Sequence, residues 1–229
     1  KGVILTPKTM NLIAIETATE QCALGLLHNG QITTTAEIAP QQHANIILDR
    51  LESLFKDAKL KKTELDGIVF GLGPGAFTGV RIAFAVTQGL ALALDVPVMG
   101  ISTLENMAWQ VFQENPDQEQ QILVANDARM GEVYWAEFKS QNGQLIRINN
   151  DQVSKPDAVN LKDFDIAAGS AFHDLLREHI NNNESRPINA NSLPDAQALL
   201  EIAQTRFKRD QQNISDIQPH YVRDKVVFS

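Results

Sequence analysis

Cysteine and histidine are scarce in this sequence of 229 residues, which holds one cysteine, Cys22, and five histidines. One cysteine cannot form an intrachain disulfide, and the histidines do not occur at the spacings of a zinc site. The composition therefore excludes a disulfide framework and a cysteine–histidine zinc centre. We expect Cys22 to be a small core residue in a protein of the reducing cytoplasm.

Positive charge and long apolar runs are also in short supply. The 20 lysine and arginine residues are outnumbered by 28 aspartate and glutamate residues, which gives a net charge of −8. A protein with this charge does not attract nucleic acid through its own field. No uninterrupted apolar run approaches about 18 residues, so we expect no membrane span.

The first nine residues precede Met10, and a strand-like apolar run starts directly after that methionine. Residues 1–9 are therefore interpreted as a leader or a vector-derived extension, although they lack the cleavage pattern of a signal peptide. The chain has ordinary globular composition, with 43% hydrophobic and 21% charged residues. At this length it can bury a large core without metal or disulfide support.

The apolar pattern of the first half predicts three strands followed by alternating helices and strands. The strand "NLIAIE" ends at Glu16, and the Asn29-Gly30 pair is a strong hairpin signal before the third strand, "QITTTAEI". Apolar residues then recur at helical spacing in three segments separated by short strands. The predicted helices span residues 42–56, 78–94 and 103–113.

The second half repeats this order of elements. The strand "QILVAND" ends at Asp127 where the first half has Glu16, and a second Asn-Gly hairpin signal follows at residues 142–143. A terminal helix is predicted in "DAQALLEIAQTRF". The matching order of acid, hairpin and helix predicts a duplicated α/β fold with halves at residues 10–115 and 116–229.

The segment "GLGPGAFTGVR", residues 71–81, holds four glycines and a proline between a strand and a helix. It is not a P-loop, because Val80 stands where that motif requires a lysine. A Rossmann fingerprint fits Gly71, Gly73 and Ala76, but the acid expected at the end of the next strand instead precedes that strand. The signal for a dinucleotide site is therefore weak.

The helix after this loop, "TGVRIAFAVTQGLALAL", favours a third interpretation, close packing. It is apolar nearly all round, and only Arg81, Thr87 and Gln88 interrupt it. Such a helix is typically buried in a core or at an interface. Its small residues permit close approach of another helix, so the loop is interpreted as a close-approach surface. Within it, the ring of Phe77 is either folded back as a plug or offered to a partner.

Four segments resemble motifs of the bacterial TsaB family, also called YeaZ. "GLGPGAFTGVR" is similar to the family pattern G-x-G-P-G-S-F-T-G-V-R, and "NDARMGEVYWAEF" contains its D-A-R-x-G-E-V-Y pattern. "NLIAIETAT" and "QPHYVRDKV" extend the resemblance from Met10 to Val226. The resemblance implies an α/β fold of the actin-like ATPase (ASKHA) type, a duplicated architecture of two RNase H-like halves of βββαβα type.

The resemblance also implies a function. TsaB proteins are partners of TsaD, which transfers the threonylcarbamoyl group to the adenosine beside the anticodon of ANN-decoding tRNAs, and the ATPase TsaE is a third member. We therefore expect a cytoplasmic, non-catalytic scaffold subunit that binds TsaD and TsaE and meets tRNA only through that complex. No cofactor is expected, and without TsaD the chain is expected to form a two-fold homodimer.

The expected partner surface combines the glycine loop with the helices that precede and follow it in the sequence. These segments carry the small and apolar side chains that a close helix contact needs. The predicted interface residues are His43, Ile47, Gly75, Phe77, Thr78, Val80, Arg81, Phe84 and Gln88.

Glu16 and Asp127 are candidate remnants of a nucleotide site, because acids at these places hold magnesium or water in actin-like folds. This sequence has Glu16 where many relatives have Asp, and Ala76 where the loop pattern has Ser. TsaD-type proteins bind metal through an H-x-x-x-H pair, but here Ile47 follows His43 at the second position, so no metal site is expected. The alternatives are an actin-like ATPase or kinase with its own nucleotide site and, less favoured, a metallopeptidase homologue.

Overall fold

The structure is a computed structural model that describes residues 10–180 and 186–222. The predicted leader at residues 1–9 lies outside these ranges, as do the last residues of the C-terminal motif, 223–226. The α-helices of the described ranges are α1 (His43–Ala58), α2 (Phe77–Leu94), α3 (Thr103–Glu114) and α4 (Ala196–Asp210). The first three begin and end within two residues of their predicted bounds.

A five-stranded sheet is built from the first half of the chain. Its strands are β1 (Leu12–Glu16), β2 (Gln21–His28), β3 (Gln31–Ile38), β4 (Gly67–Gly73) and β5 (Val98–Ser102). Their order is β3-β2-β1-β4-β5, with the first three antiparallel and β4 and β5 parallel to β1. Asn29 and Gly30 form the β2–β3 turn with φ angles of 52° and 77°, which confirms the predicted hairpin.

The second sheet has six strands. They are β6 (Gln120–Arg129), β7 (Glu132–Gln141), β8 (Gln144–Arg147), β9 (Gln152–Ser154), β10 (Ile166–Ala168) and β11 (Ile188–Asn189). The order is β11-β10-β6-β7-β8, and β9 pairs with β7. The antiparallel β6, β7 and β8 repeat the arrangement of β1, β2 and β3, which agrees with the predicted duplication.

Alternate side chains of β1 point to opposite faces of the first sheet, and each face is covered by different helices. Ile13 and Ile15 belong to the core beneath α1 and α2, which also contains the buried Cys22. Leu12 and Ala14 belong to a second core beneath α4. The strand is therefore buried on both sides, and its near-continuous apolar sequence follows from that burial.

Two helices cross between the halves of the chain. Helix α4 comes from the second half, but its Leu199, Leu200 and Phe207 pack on the first sheet. Helix α3 comes from the first half, but its Leu104 and Met107 pack on the second sheet. The predicted boundary at residues 115/116 thus falls between the last strand of the first sheet and the first strand of the second. Each sheet nevertheless packs against a helix that comes from the other half of the chain.

Helix α2 is buried on one face only within this chain. Its inner residues Val80, Ala83 and Thr87 are buried, while Leu92 on the outer face is 67% exposed. In the described ranges α2 is the one helix long and apolar enough to cross a membrane, with a mean hydropathy of 1.5. A core helix of this composition meets the same criterion, and the inner face of α2 does pack on the first sheet.

Candidate functional site

The glycine loop lies directly against the β1–β2 turn of its own chain. A Cβ atom added at Gly75 would lie 2.4 Å from the carbonyl oxygen of Ala18, and one added at Gly79 would lie 1.9 Å from that of Thr17. The Ala76 N–H donates to the Ala18 oxygen at 2.7 Å, and the Thr17 hydroxyl donates to the Gly79 oxygen at 2.7 Å. The loop does make a close backbone approach, but the neighbour is the chain's own β1–β2 turn and not another helix; its use as a partner surface stays a prediction.

Glu16 is sealed beneath this contact. Its carboxyl group is fully buried, and Oε1 accepts a hydrogen bond from the Ala18 N–H at 2.7 Å. Oε2 has no hydrogen-bond partner among the described residues, and it faces Gly71, where an added Cβ would lie 2.1 Å away. Burial raises the pKa of Glu16 to about 7, against the opposing effect of hydrogen bonds from the Ala18 and Thr17 backbone.

The packed glycine loop does not present the free backbone N–H groups that would bind a phosphate. A phosphate nest needs successive backbone N–H groups that point into open space. Here the Ala76 N–H is already engaged by Ala18, and Gly75 and Gly79 are pressed onto the turn itself. Gly75 and Gly79 therefore serve packing between two backbone segments.

Asp127, the counterpart of Glu16 in the second half, has a different environment. It lies near the end of β6, where it accepts from the Arg129 N–H at 2.6 Å and pairs with the Arg129 guanidinium at 3.3 Å. The charged side chain that acts on Glu16 is Asp195, which further raises the Glu16 pKa. A nucleotide-remnant role for the two acids stays a prediction.

Sequence reasoning missed a polar contact that closes the second-half loop after β10. Asn126 Oδ1 accepts from the Ser170 N–H at 3.1 Å, and the Asp127 N–H donates to the Ser170 hydroxyl at 3.0 Å. Gly169 permits this approach, since an added Cβ would lie 2.2 Å from the Ala125 oxygen. The small residues of "AAGSAF" were the available signal.

Three of the predicted interface residues are buried inside the chain. His43 donates from its ring to the Thr19 carbonyl oxygen at 2.9 Å, and Ile47 and Val80 pack within the core, with 1% and 3% exposure. Phe84 is half-buried with its ring edge-on to Phe70. The first three cannot touch a partner from these positions, because they lie on the inner faces of α1 and α2, so we remove them from the predicted contact surface.

The other predicted positions remain on or near the surface, and the ring of Phe77 is 46% exposed. The Arg81 guanidinium lies 3.5 Å from the centre of the Phe77 ring. The Arg81 Nε–H donates to the Tyr221 hydroxyl at 2.9 Å, and the Phe77 and Tyr221 rings are 5.9 Å apart. We call these three residues the aromatic–arginine cluster; Phe77 is thus offered at the surface, where Arg81 holds it.

Tyr221 was missed as a site residue, and it reaches the glycine loop through the C-terminal segment. The His220 N–H donates to the Leu72 carbonyl oxygen at 3.0 Å, next to the loop. The His220 ring lies 3.5 Å from Asp151, which also accepts from the Ser102 hydroxyl at 3.0 Å. The motif "QPHYVRDKV" was the signal in the sequence, but a contact over 140 residues could not be read from it.

Relatives of known sequence match most of the chain. The family model described as TsaD, tRNA N6-adenosine threonylcarbamoyltransferase, matches residues 30–227. The tRNA threonylcarbamoyladenosine biosynthesis protein TsaB of Haemophilus influenzae is 30% identical, over 96% of this chain and 97% of that protein. The Escherichia coli protein of the same name is 38% identical over 152 residues, which span 66% of this chain and 65% of that protein.

Solved structures match over nearly the whole length as well. YeaZ from Pseudomonas aeruginosa superposes with a TM-score of 0.84 at 33% identity, covering 93% of this chain and all of that one. A Pseudomonas aeruginosa protein described as similar to peptidase YEAZ also gives 0.84, at 34% identity and 94% coverage of this chain. These matches confirm the predicted α/β fold class, and with the sequence relatives they show that the chain belongs to the TsaB (YeaZ) family.

Proposed function

We propose that this chain is a non-catalytic partner subunit in the formation of the threonylcarbamoyl group on the adenosine next to the anticodon of ANN-decoding tRNAs. In this role it binds TsaD, and TsaE joins them in a ternary complex. Membership of the TsaB family supports the pathway, since its relatives are named for tRNA threonylcarbamoyladenosine biosynthesis. The observation that carries the partner role is the exposed apolar outer face of α2.

This outer face consists of residues that face solvent in the isolated chain. Leu92 is the most exposed apolar side chain of α2, and Leu48 on the neighbouring α1 is 62% exposed. Ala85 and Ala93 of α2 are exposed as well. Exposed apolar surface of this kind is typical of protein-binding sites, because its burial contributes about 25 cal/mol per Å². A partner that covers α1 and α2 would gain that energy.

The non-catalytic role rests on what fills the ancestral site. The β1–β2 turn and the glycine loop are joined by two hydrogen bonds, and Glu16 lies beneath them without exposure. A carboxyl group in that position cannot reach a bound nucleotide unless the loop is displaced. The same turn would have to stay accessible in an actin-like kinase or ATPase.

The remaining parts of the proposal follow from charge and exposure. The net charge of −8 disfavours tRNA binding by this chain alone, so tRNA is met through the complex. In the absence of TsaD, the outer face of α2 is free to pair with a second copy as a homodimer. Such a complex would act in the cytoplasm, where tRNA is modified.

Binding of purified TsaD tests the partner role directly. We expect Leu92→Asp to weaken the affinity by about tenfold or more in calorimetry, because it inserts a charge into the apolar face. Ile188→Asp is the matched control, since Ile188 is an exposed apolar residue on the second sheet. Phe84→Asp is unsuitable, because Phe84 packs on Phe70 and its loss would disturb the fold.

Equal affinity of TsaD for wild type and Leu92→Asp, with unchanged circular dichroism, would contradict the proposed surface. Failure of wild type to bind TsaD at all would contradict the proposed role.

The content of threonylcarbamoyladenosine in tRNA tests the function in cells depleted of their own TsaB. We expect wild type and Glu16→Gln to restore the modification, as measured by mass spectrometry of digested tRNA, and Leu92→Asp to fail. Calorimetry with ATP and magnesium addresses the rival kinase or ATPase. Tight ATP binding that is lost in Glu16→Ala would favour the enzyme over the scaffold.

A further inference from the structure

The segment that follows α4 runs along the edge of the first sheet towards the glycine loop. We call this segment, residues 211–222, the C-terminal strap. Gln212 pairs with Val98 of the edge strand β5 through two backbone hydrogen bonds, at 2.8 and 2.9 Å. Ile214 is buried in the core beneath α1 and α2, and Ile217 packs against the same core. The strap is therefore anchored to the first sheet before it reaches the loop.

Two glycines of the first sheet make room for the strap. An added Cβ at Gly100 would lie 3.0 Å from the side chain of Ile217, and one added at Gly73 would lie 3.1 Å from the carbonyl oxygen of His220. Gly73 also has a φ of 99°, which favours glycine. The first glycines of the loop motif thus include one that fits the passage of the strap.

The far end of the strap is held by the second half of the chain. Nε2 of His220 lies 3.5 Å from a carboxylate oxygen of Asp151, whose side chain is only 4% exposed. Asp151 is itself fixed, because it pairs with the Arg147 guanidinium at 2.6 Å and accepts from the Ser102 hydroxyl at 3.0 Å. The imidazole therefore rests on a carboxylate with little freedom to move.

We propose that the C-terminal strap holds the aromatic–arginine cluster in the conformation that binds TsaD, and that His220 is the residue that positions it. His220 directly precedes Tyr221, whose hydroxyl accepts from Arg81 on the exposed side of α2. His220 acts through Tyr221 and needs no contact of its own with the partner. The inference rests on the proposed function and adds a positioning residue that lies outside α1 and α2.

The cluster is presented by the strap and is not covered by it. The rings of Phe77 and Tyr221 each remain 46% exposed. Tyr221 engages Nε of Arg81, which leaves the Nη groups for a carboxylate of the partner. Among the described residues no carboxylate pairs with Arg81, whereas Arg50 pairs with Glu37. A guanidinium that is already held in place loses little side-chain entropy on binding.

A double-mutant cycle on the full chain tests this role through TsaD affinity in calorimetry. We expect His220→Ala to weaken binding about fivefold and Arg81→Ala about tenfold. The double variant should stay within about twofold of Arg81→Ala, because without the guanidinium the strap has nothing to position. His173→Ala, at an exposed histidine of the second half, is the matched control and should leave the affinity unchanged.

The NMR signal of the Arg81 Nε–H reports on the same positioning in the free chain, without TsaD. We expect this proton to exchange faster with water in His220→Ala, since Tyr221 is then held less firmly. His220→Gln keeps an amide that can contact Asp151, so it should restore both the slow exchange and the affinity. Circular dichroism of each variant confirms that the fold is intact.

Three results would overturn the inference. Additive effects in the cycle would mean that His220 does not act through Arg81. Tighter binding by His220→Ala would mean that the strap covers the surface, and unchanged Arg81 exchange in that variant would mean that His220 does not position the cluster. Failure of wild type to bind TsaD contradicts the proposed function instead, and the Arg81 signal of the free chain still decides whether His220 positions the cluster.

Discussion

The two faces of α2 use similar residues for different purposes. On the inner face, Gly79 brings the helix within hydrogen-bonding contact of Thr17, and Ala83 is fully buried. On the outer face, Gly89 is open to solvent and Leu92 is largely exposed. The inner face supports the fold, and the outer face adds apolar surface that this chain alone does not cover. Two glycines of one helix thus differ in role according to what lies next to them: Gly79 contacts the β1–β2 turn, and a Cβ atom added at Gly89 would meet no other part of the chain within 4 Å.

The largest expected effect comes from Gly79→Ala on the inner face. The added methyl group would lie 1.9 Å from a backbone oxygen, so the loop or the β1–β2 turn must move. We expect the free energy of unfolding to fall by about 3 kcal/mol or more in urea denaturation. This would exceed the usual helical gain of alanine over glycine, and a stability equal to or above wild type would contradict the close approach.

The second prediction concerns Glu16 of β1, which lies beneath the contact between the glycine loop and the β1–β2 turn, and the pH dependence of stability. The pKa of Glu16 rises from 4.5 to about 7 on folding, so the folded state holds this proton more tightly. The free energy of unfolding should therefore fall as pH rises from about 4.5 to about 7 and then level off, by about 3 kcal/mol in total. Glu16→Gln should remove the contribution of Glu16 to this dependence and stabilise the protein at about pH 8; the raised pKa values of Asp195 and Glu137 leave a smaller slope of the same sign.

The control for that prediction is Glu20→Gln, which changes an exposed glutamate at the end of the same turn. Urea unfolding at several pH values should give the wild-type profile for Glu20→Gln. A Glu16→Gln profile that keeps the wild-type slope between about pH 5 and about pH 7 would mean that Glu16 is ionised in the folded state.

On the outer face, Gly89→Ala should act in the opposite direction from Gly79→Ala. An alanine there meets nothing within 4 Å, so it should raise the free energy of unfolding of the monomer by about 1 kcal/mol. Dimerisation should weaken at the same time if a second helix crosses nearby. Thermal melting at low concentration and sedimentation at high concentration separate the two effects. A monomer destabilised by Gly89→Ala would contradict the prediction that alanine is tolerated on the outer face and not on the inner face.

The smallest expected effect is that of Tyr221→Phe at the edge of the outer face. The variant removes only the hydroxyl that accepts from Arg81, and exposed hydrogen bonds contribute about 0.5 kcal/mol or less. Thermal stability should stay nearly constant, while the Arg81 Nε–H should exchange faster with water in NMR spectra. Unchanged exchange would show that the aromatic–arginine cluster is not held by this bond.

Much of the fold was predictable because it depends on local signals. The Asn29-Gly30 hairpin and the bounds of α2 follow from turn chemistry and apolar periodicity within a few residues of chain. The crossing of α4 onto the first sheet was not predictable in this way. A periodic apolar face shows that a helix is buried, but it does not identify which of two sheets buries it.

The candidate site was predictable in part for the same reason. The glycine loop and its approach to another backbone could be inferred from four glycines in eleven residues. The partner in that approach, Ala18, lies more than fifty residues away, and Tyr221 lies farther still from Arg81. His43 was wrongly predicted to lie at an interface. It is buried inside the chain, where its ring donates a hydrogen bond to the Thr19 carbonyl oxygen.

Spacing and motifs along the chain were enough to predict the four α-helices, the duplication and the family resemblance. The side of α2 that faces inward depends instead on contacts between segments far apart in the sequence. A helix that is apolar nearly all round carries little directional information in its sequence. The direction is set where Gly79 meets Thr17 and where Ala83 packs on the first sheet, and the side opposite those contacts stays exposed in this chain.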